Sequence, residues 1–217
     1  MRIKYSVHSD VGMHRVENED VGLVDVAEHR AVFVVADGMG GHRDGKKAAQ
    51  CAATGFLRAI NTGKVPSAAA KAADEAVLEL EGGFSDRSPG STLTALILTA
   101  EGAQIAHVGD SEAYRMTAAG DFEKITRDHS GMFGLDNFCG LGENYNGFFT
   151  DVVGRPMQPG DRFLLATDGL TKHIKETELP SIMRRVTTKD LAVHLVELAN
   201  ERGGCDNTTV IAVEVAP

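Results

Sequence analysis

The sequence predicts an α+β fold in which two antiparallel sheets pack face to face, with helices on their outer faces (an α-β-β-α sandwich). Four strand-like runs follow one another between residues 91 and 125, across loops too short for a crossover helix. Helical patterns stand in groups between the strands instead of alternating with them. A chain of 217 residues with 42% hydrophobic content can also bury one substantial core. We therefore predict a single domain over residues 1–217.

The predicted strands share short runs of apolar and β-branched residues bounded by glycine or polar residues. In chain order they are 3–7, 21–26, 31–36, 92–99, 103–108, 113–116, 148–153, 162–167 and 208–215. Short loops between consecutive strands are typical of antiparallel pairing.

Three helices are predicted from apolar spacing and from end signals. The first covers residues 45 to about 60 and places small residues on one stripe. The second covers 66–82, with proline in its first turn and a glycine pair at its end. The third begins at residue 187 or 188, carries leucines at helical spacing and ends before the glycine pair 203–204.

The charge balance excludes several classes of partner. Lys and Arg total 22 against 31 Asp and Glu, a net charge of −9, so we expect no binding to nucleic acid or to an anionic membrane. The N-terminal residues lack the apolar core of a secretory signal, and no apolar run is long enough to span a bilayer. We expect a soluble, cytoplasmic monomer.

The cysteines and histidines do not indicate a zinc site or a disulfide framework. Cys51, Cys139 and Cys205 are an odd number without a CxxC pair. We predict that they are buried or partly buried reduced thiols. None of the eight histidines belongs to an H-E-x-x-H pattern.

The loop "ADGMGGHRDGKK" (36–47) lies between a predicted strand and a predicted helix. From Gly40 to Lys47 it is one letter short of the nucleotide-binding pattern G-x-x-x-x-G-K-[ST]. Lys47, however, stands where that pattern needs a hydroxyl, and Asp44 would place a negative charge inside the phosphate cradle. A nucleotide-binding loop is thus the weaker interpretation.

Acidic residues stand at the ends of the predicted core strands. Asp37, Asp110 and Asp168 each follow an apolar run, and Asp206 precedes the last strand. Singly, each is typical of a turn. Together, however, carboxylates at neighbouring strand ends repel one another unless cations neutralise them, and hard oxygen ligands suit Mg²⁺ or Mn²⁺.

The stretch "HRVENED" (14–20) leaves two interpretations open. Arg15 and Asp20 can belong to an ordinary polar loop with a surface arginine. Alternatively, the planar guanidinium of Arg15 can bind two oxygens of a phosphoryl group beside the metals.

Seven sequence blocks carry a family resemblance along nearly the whole chain. They are "RVENED" (15–20), "VVADGMGGHRDGKKAA" (34–49), "GSTLTALIL" (90–98), "IAHVGDSEAYRM" (105–116), "ITRDHS" (125–130), "GDRFLLATDGL" (160–170) and "GGCDNTTVIAVEV" (203–215). With these blocks the chain resembles the metal-dependent type 2C (PPM) Ser/Thr protein phosphatases, in their bacterial stand-alone form. That family implies an α-β-β-α sandwich, as the strand order does.

The resemblance implies a site with two ions, Mn²⁺ or Mg²⁺. Asp37 would bridge them, and the carbonyl of Gly38 would bind one. Asp168 and Asp206 would hold the first ion. A water shared by the ions would attack phosphorus directly, so that no phosphoenzyme and no cysteine nucleophile are needed.

Other residues take further roles by the same resemblance. Glu19 and Asp20 would serve the second ion, directly or through water, and Arg15 would bind the phosphate. Arg15, Asp37 and Asp168 are thus the expected catalytic residues. Asp110 matches an acid of a third, weaker metal site.

The chain departs from the family pattern at three places. Lys172 stands where the family has an acid of the third site, so we expect that site to be weak or absent; the alternative is a surface lysine that points away. Glu112 replaces an arginine, so the local ion pairing must differ. The loop at about 130–147 is rich in Gly and Asn, and it predicts a surface loop shorter than the family's flap beside the cleft.

The expected function is hydrolysis of phosphoserine and phosphothreonine in proteins. Its expected partners are phosphorylated proteins, including a Ser/Thr kinase or the substrates of that kinase. The alternative is a pseudophosphatase, or a regulator that binds phosphoproteins with the same fold and does not cleave them.

Overall fold

The computed structural model describes residues 2–39, 44–80, 89–132, 134–142 and 147–216. The strands are β1 (Ile3–Asp10), β2 (Asp20–Val26), β3 (Ala31–Asp37), β4 (Leu93–Thr99), β5 (Gly102–Val108), β6 (Glu112–Met116), β7 (Phe122–Lys124), β8 (Ser130–Gly131), β9 (Gly134–Leu135), β10 (Asp151–Arg155), β11 (Arg162–Ala166) and β12 (Thr208–Val215). The helices are α1 (Gly45–Asn61), α2 (Pro66–Leu78), α3 (Asp168–Thr171), α4 (Leu179–Arg185) and α5 (Thr188–Glu201), with a 3-10 turn at Glu176–Glu178.

Two five-stranded sheets form the centre of the described part of the chain. The first sheet has the order β1-β12-β11-β6-β7, and the second has the order β10-β5-β4-β3-β2. Every strand pair in both sheets is antiparallel. The predicted pair of antiparallel sheets is therefore confirmed.

The two sheets pack against each other through a shared apolar layer. Phe33 and Ile105 of the second sheet belong to one buried cluster with Phe163, Leu165 and Ile211 of the first. The helices α1 and α2 cover the outer face of the second sheet, and α4 and α5 cover the outer face of the first. Central strands such as β3 are buried on both faces, which explains their continuous apolar sequence. The predicted α-β-β-α sandwich is confirmed.

Several element boundaries differ from the prediction. The strand predicted at 148–153 begins at residue 151, because the Asn137 side chain bonds both backbone groups of Phe149, at 2.9 Å to its oxygen and 3.4 Å to its nitrogen. Helix α2 ends at Leu78, and the glycine pair at 82–83 lies outside the described residues.

The loop predicted at 130–147 is only partly a surface loop. It contains the short hairpin β8–β9, while Asn137, Phe138 and Cys139 are buried. Ser91 and Cys139 exchange backbone hydrogen bonds of 2.8 and 3.0 Å, which draws this part of the loop inward. Residues 133 and 143–146 of the predicted flap lie outside the described part of the chain.

The cysteine prediction is wrong at one position. All three thiols are free; Cys139 is buried and Cys51 half-buried, whereas Cys205 is exposed. Cys205 lies in the turn before β12, where its backbone nitrogen donates to His173 at 2.9 Å.

The described helices include none with the length and apolar character that crossing a membrane requires.

Candidate active site

A cleft of about 230 Å³ opens where β3 and β11 end and β12 begins. It contains almost all the side chains that the sequence singles out for chemistry. Its walls are Arg15, Glu19, Asp37, Gly38, Met39, Thr92, Asp110, Leu135, Asp168, Lys172, Asp206 and Asn207.

Asp37 is the last residue of β3, and its backbone is held by Thr92, just before β4. Its backbone nitrogen donates to the Thr92 hydroxyl at 2.9 Å, and its carbonyl accepts from the Thr92 nitrogen at 2.9 Å. Burial raises the pKa of Asp37 well above its ordinary value, and the negative charges of Asp20, Asp168 and other acids add to that rise. A cation beside this carboxyl group would relieve both effects.

Asp20 lies beneath the cleft and does not line it. It pairs with Asp37 across β2 and β3, and it is 7% exposed. One carboxylate oxygen accepts from the Thr167 hydroxyl at 2.8 Å, while the other is buried without a hydrogen-bond partner. Burial is the main cause that raises the pKa of Asp20 to about 7.

Gly38 stands where the strand end and the start of α1 approach each other closely. A Cβ atom at this position would lie 2.2 Å from the carbonyl oxygen of Gly45, so a side chain does not fit. The Gly38 nitrogen donates to the Glu19 carbonyl at 3.3 Å. This hydrogen bond holds the backbone of Glu19 beside the strand end that carries Asp37.

Asp168 and Asp206 approach the cleft from the first sheet. Asp168 opens the one-turn helix α3 directly after β11, and Asp206 precedes β12. Lys172 contacts both, with its Nζ 2.6 Å from Asp168 Oδ2 and 2.7 Å from Asp206 Oδ2. The lysine thus faces the cleft. The second oxygen of Asp168, Oδ1, is buried without a partner.

Arg15 also lies in the cleft, as one of the two interpretations of its segment expects. Its Nη2 donates to Asp206 Oδ2 at 3.0 Å, and its Nε lies 2.8 Å from Asp206 Oδ1 in the same ion pair. Burial tends to raise the pKa of Asp206, but Lys172 and Arg15 together bring it below its ordinary value.

Asp110 completes the acidic set on the side of β5. It lines the cleft, and burial, followed by the charge of Asp168, raises its pKa to about 6. Glu112, two residues later, turns away and binds Lys124, while Tyr114 donates its hydroxyl to the other oxygen. The altered ion pairing expected for Glu112 is therefore with Lys124.

Sequence reasoning missed two polar residues that shape the cleft. Thr92 holds the backbone of Asp37, and Asn207 ties the N-terminal loop to the last strand. The Asn207 amide donates to the carbonyls of Val11 and Glu17, and its oxygen accepts from the Glu19 nitrogen. Both residues lie in blocks that resemble the family, and Asn207 directly follows the candidate ligand Asp206, whereas nothing in the sequence marked Thr92.

The donor set of the cleft fits hard divalent cations. Six carboxyl groups, five in the walls and Asp20 beneath them, face only two cationic side chains among the described residues, Arg15 and Lys172. The buried, unpartnered oxygens of Asp20 and Asp168 are acceptors without a donor. Within the described ranges, no three His, Cys, Asp or Glu side chains are already arranged to hold a metal. Lys172, between Asp168 and Asp206, occupies part of that space.

The residues that suggested a nucleotide-binding loop lie elsewhere. Lys47 binds Asp44 at 2.7 Å at the start of α1, and both side chains are largely exposed. Neither is among the described residues that line the cleft. Gly40 to Arg43 of that loop lie outside the described residues.

Comparison with known sequences matches the chain to one family of phosphatases. The family model "Protein phosphatase 2C" matches residues 13–198. The serine/threonine phosphatase stp of Listeria monocytogenes is 30% identical, covering 95% of this chain and 93% of its own. The serine/threonine protein phosphatase PstP of Mycobacterium tuberculosis is 29% identical over 98% of this chain, which spans 45% of the PstP length.

Solved structures agree with the sequence relatives. PppA, described as a regulatory component of T6SS in Pseudomonas aeruginosa, has a TM-score of 0.82 at 29% identity and covers 99% of this chain and 98% of its own. The Mycobacterium smegmatis phosphatase MsPP, in complex with cacodylate, has a TM-score of 0.83 at 27% identity, with 98% of both chains covered. The catalytic domain of PstP with two manganese ions has a TM-score of 0.82 at 25% identity, with 99% of both chains covered.

The TM-scores show that these solved structures share the fold of this chain over nearly its whole length. The family model matches most of the chain, and relatives named as phosphatases match nearly its whole length. The chain belongs to the protein phosphatase 2C family and is a protein-serine/threonine phosphatase.

Proposed function

We propose that the chain hydrolyses phosphoserine and phosphothreonine in proteins with two divalent cations, Mn²⁺ or Mg²⁺, by direct attack of water. The observation that carries this proposal is the cleft itself, where unpartnered buried carboxylate oxygens lie beside an arginine fork. The two manganese ions of the PstP structure support the same number of ions.

The position of each acidic residue in the two sheets suggests its role in binding the ions. Asp37 would bridge the two ions, with the Gly38 carbonyl on one of them, because both lie at the end of β3. Asp168 and Asp206, from the other sheet, would hold the first ion. When bound, the ions would supply a water of lowered pKa and offset charge on the phosphoryl oxygens.

The N-terminal segment would serve the second ion. Glu19 lines the cleft and is suited to a direct or water-mediated contact, whereas buried Asp20 is suited to support Asp37 from behind. Asp110 would contribute only to a third, weak site, because Lys172 rather than an acid stands across from it. We therefore expect two ions to bind, without a third site of comparable affinity.

Arg15 would bind and orient the phosphoryl group. Its Nε and Nη2 already contact the two oxygens of Asp206, and a phosphoryl group can also accept a bidentate guanidinium. Binding of Asp206 to a cation would release the guanidinium for this task. Holding the phosphoryl group in line with the attacking water lowers the entropic part of the barrier.

The proposal is tested with p-nitrophenyl phosphate and a panel of phosphopeptides, with and without Mn²⁺. We expect turnover that requires Mn²⁺ or Mg²⁺ and falls to background in Asp37→Asn and Asp168→Asn. Asp25→Asn on β2 is the matched control, because Asp25 pairs with Arg30 outside the cleft. Absence of turnover in metal-loaded protein would contradict the proposal, and tight phosphopeptide binding without cleavage would favour the regulator.

A further inference from the structure

Lys172 contacts both carboxylates that approach the cleft from the first sheet. It follows the one-turn helix α3, and its backbone nitrogen donates to the Asp168 carbonyl at 2.9 Å. The side chain then turns back over the helix, so that Nζ lies within 2.7 Å of one oxygen of Asp168 and one of Asp206. One ammonium group thus bridges two acids that are far apart in sequence.

The contacts of Lys172 place a cationic group directly between two carboxylates. Its Nζ lies 2.6 Å from Asp168 Oδ2 and 2.7 Å from Asp206 Oδ2, so both acids share one ammonium group. Arg15 supplies Asp206 with a second cation, whereas no other cationic side chain among the described residues contacts Asp168.

The same two carboxylates are the proposed ligands of the first divalent cation. A cation between them would lie close to the ammonium group, and the two positive charges would repel each other. The Asp168 and Asp206 oxygens would also have to exchange a short charge-assisted hydrogen bond for a metal contact. Metal loading therefore has to displace Lys172 from its present position.

We infer that Lys172 is an internal cation that competes with the first divalent ion for Asp168 and Asp206, so that it stabilises the metal-free cleft and weakens metal binding. This inference rests on the proposed function for the identity of the metal ligands. It goes beyond that function because it assigns the lysine an effect on the first ion and on the metal-free protein.

The test is Mn²⁺ titration by calorimetry of the full chain, with Lys172→Met, Lys172→Gln and the control Lys189→Met. Lys189 is exposed on α5, so its variant removes the same charge away from the cleft. We expect Lys172→Met to bind Mn²⁺ at least about tenfold more tightly than wild type, because it removes a positive charge that repels the ion. Lys172→Gln should lie between the two, and Lys189→Met should equal wild type.

Thermal unfolding gives a second readout that does not depend on catalysis. Metal-free Lys172→Met should unfold at a lower temperature than wild type, because Asp168 loses its cation, and Mn²⁺ should raise its unfolding temperature by a larger interval. Circular dichroism at the titration temperature identifies which variant is folded; if Lys172→Met is not, the Lys172→Gln comparison decides.

Three outcomes would overturn the inference in different ways. Equal or weaker Mn²⁺ binding in folded Lys172→Met or Lys172→Gln, with wild-type binding intact, overturns the inference and leaves the proposed function standing. Tighter binding in Lys189→Met as well would show a general charge effect and also overturn it. If neither wild type nor any variant binds Mn²⁺, the inference and the proposed metal site fail together.

Discussion

At position 38, glycine is required by the packing around it and is also suited to the proposed metal site. Its Cβ position is taken by the carbonyl of Gly45, and its own carbonyl is the proposed metal ligand. Sequence analysis expected a turn after Asp37 and, by the family resemblance, a metal-binding carbonyl at Gly38, but it gave no packing reason for glycine at this position. The physical reason for glycine is the close approach of the start of α1 to the end of β3.

We predict that Gly38→Ala destabilises the protein by about 1–3 kcal/mol, because the added methyl group must push α1 away from β3. Phosphatase activity should fall with it, since Asp37 would move. The matched control is Gly154→Ala on β10, where a Cβ atom would meet nothing within 4 Å. Urea unfolding of both variants measures the difference, and equal stabilities would contradict the prediction.

His107 is a buried histidine whose environment disfavours its charged form. Its Nε2 lies 3.0 Å from the Arg127 carbonyl and its Nδ1 lies 2.9 Å from the Thr94 hydroxyl. Burial, assisted by the nearby His129, lowers the pKa of His107 to about 4. The folded protein thus binds this proton less readily than the unfolded chain, whose histidines titrate near 6.5.

We predict that this histidine makes the protein less stable in acid. Its contribution is fully present above pH 6.5 and is lost as pH falls from there to 4. Between pH 7.5 and 5, the free energy of unfolding should drop by about 2 kcal/mol more in wild type than in His107→Gln. Urea titrations at both pH values measure this, with exposed His194→Gln as control, which should keep the wild-type pH dependence.

At the scale of elements, the described part of the loop predicted at 130–147 is held at several points, although its sequence predicts a surface loop. His129 accepts from the backbone nitrogen of Gly109 at 3.2 Å, which joins the segment to the turn that carries Asp110. At the other end, the Asp74 carboxylate on α2 accepts from the nitrogens of Gly140 and Gly142, at 2.8 and 3.2 Å. These contacts keep the hairpin β8–β9 against the cleft.

We predict that Asp74→Ala destabilises the protein by about 2–3 kcal/mol, because it leaves two buried backbone donors without an acceptor. Hydrogen exchange at Gly140 and Gly142 should become faster. Glu75→Ala is the control, since the neighbouring side chain on the same helix is exposed. Unchanged exchange at both glycines in Asp74→Ala would show that another group holds them.

On the scale of the whole molecule, the cleft depends on how the two sheets pack. Asp37 belongs to the second sheet, whereas Asp168 and Asp206 adjoin strands of the first. The distance between the two halves of the site is therefore set by the apolar layer between the sheets. Packing defects in that layer should weaken both stability and catalysis.

We predict that Leu165→Ala, in this inter-sheet layer, costs about 2–5 kcal/mol, as expected for a large-to-small change in a closed core. Leu165 is 1% exposed, while Leu80 after α2 is 36% exposed, so Leu80→Ala should cost much less. Metal-dependent turnover should also decrease in Leu165→Ala alone. Full turnover at a temperature where Leu165→Ala remains folded would show that the site tolerates changes in sheet packing.

Sequence patterns located the central strand β3 and the start of α1 better than they located the start of the edge strand β10. The strand at 31–36 and the helix beginning at residue 45 lie where expected, because long apolar runs and strong end signals depend only on local sequence. The strand at 148–153 begins three residues late, since a side chain 12 residues away competes for its backbone. Such a contact leaves no periodic signal.

The sequence by itself determined the sandwich class, the acids at strand ends and, through collinear blocks, the phosphatase family. The tertiary structure decided which of these acids share one cleft. It placed Asp20 beneath the cleft, brought Lys172 onto Asp168 and Asp206, and made Thr92 and Asn207 part of the site. The reason is physical: apolar spacing reports burial along one element, whereas ion pairs and close backbone contacts depend on how separate elements meet.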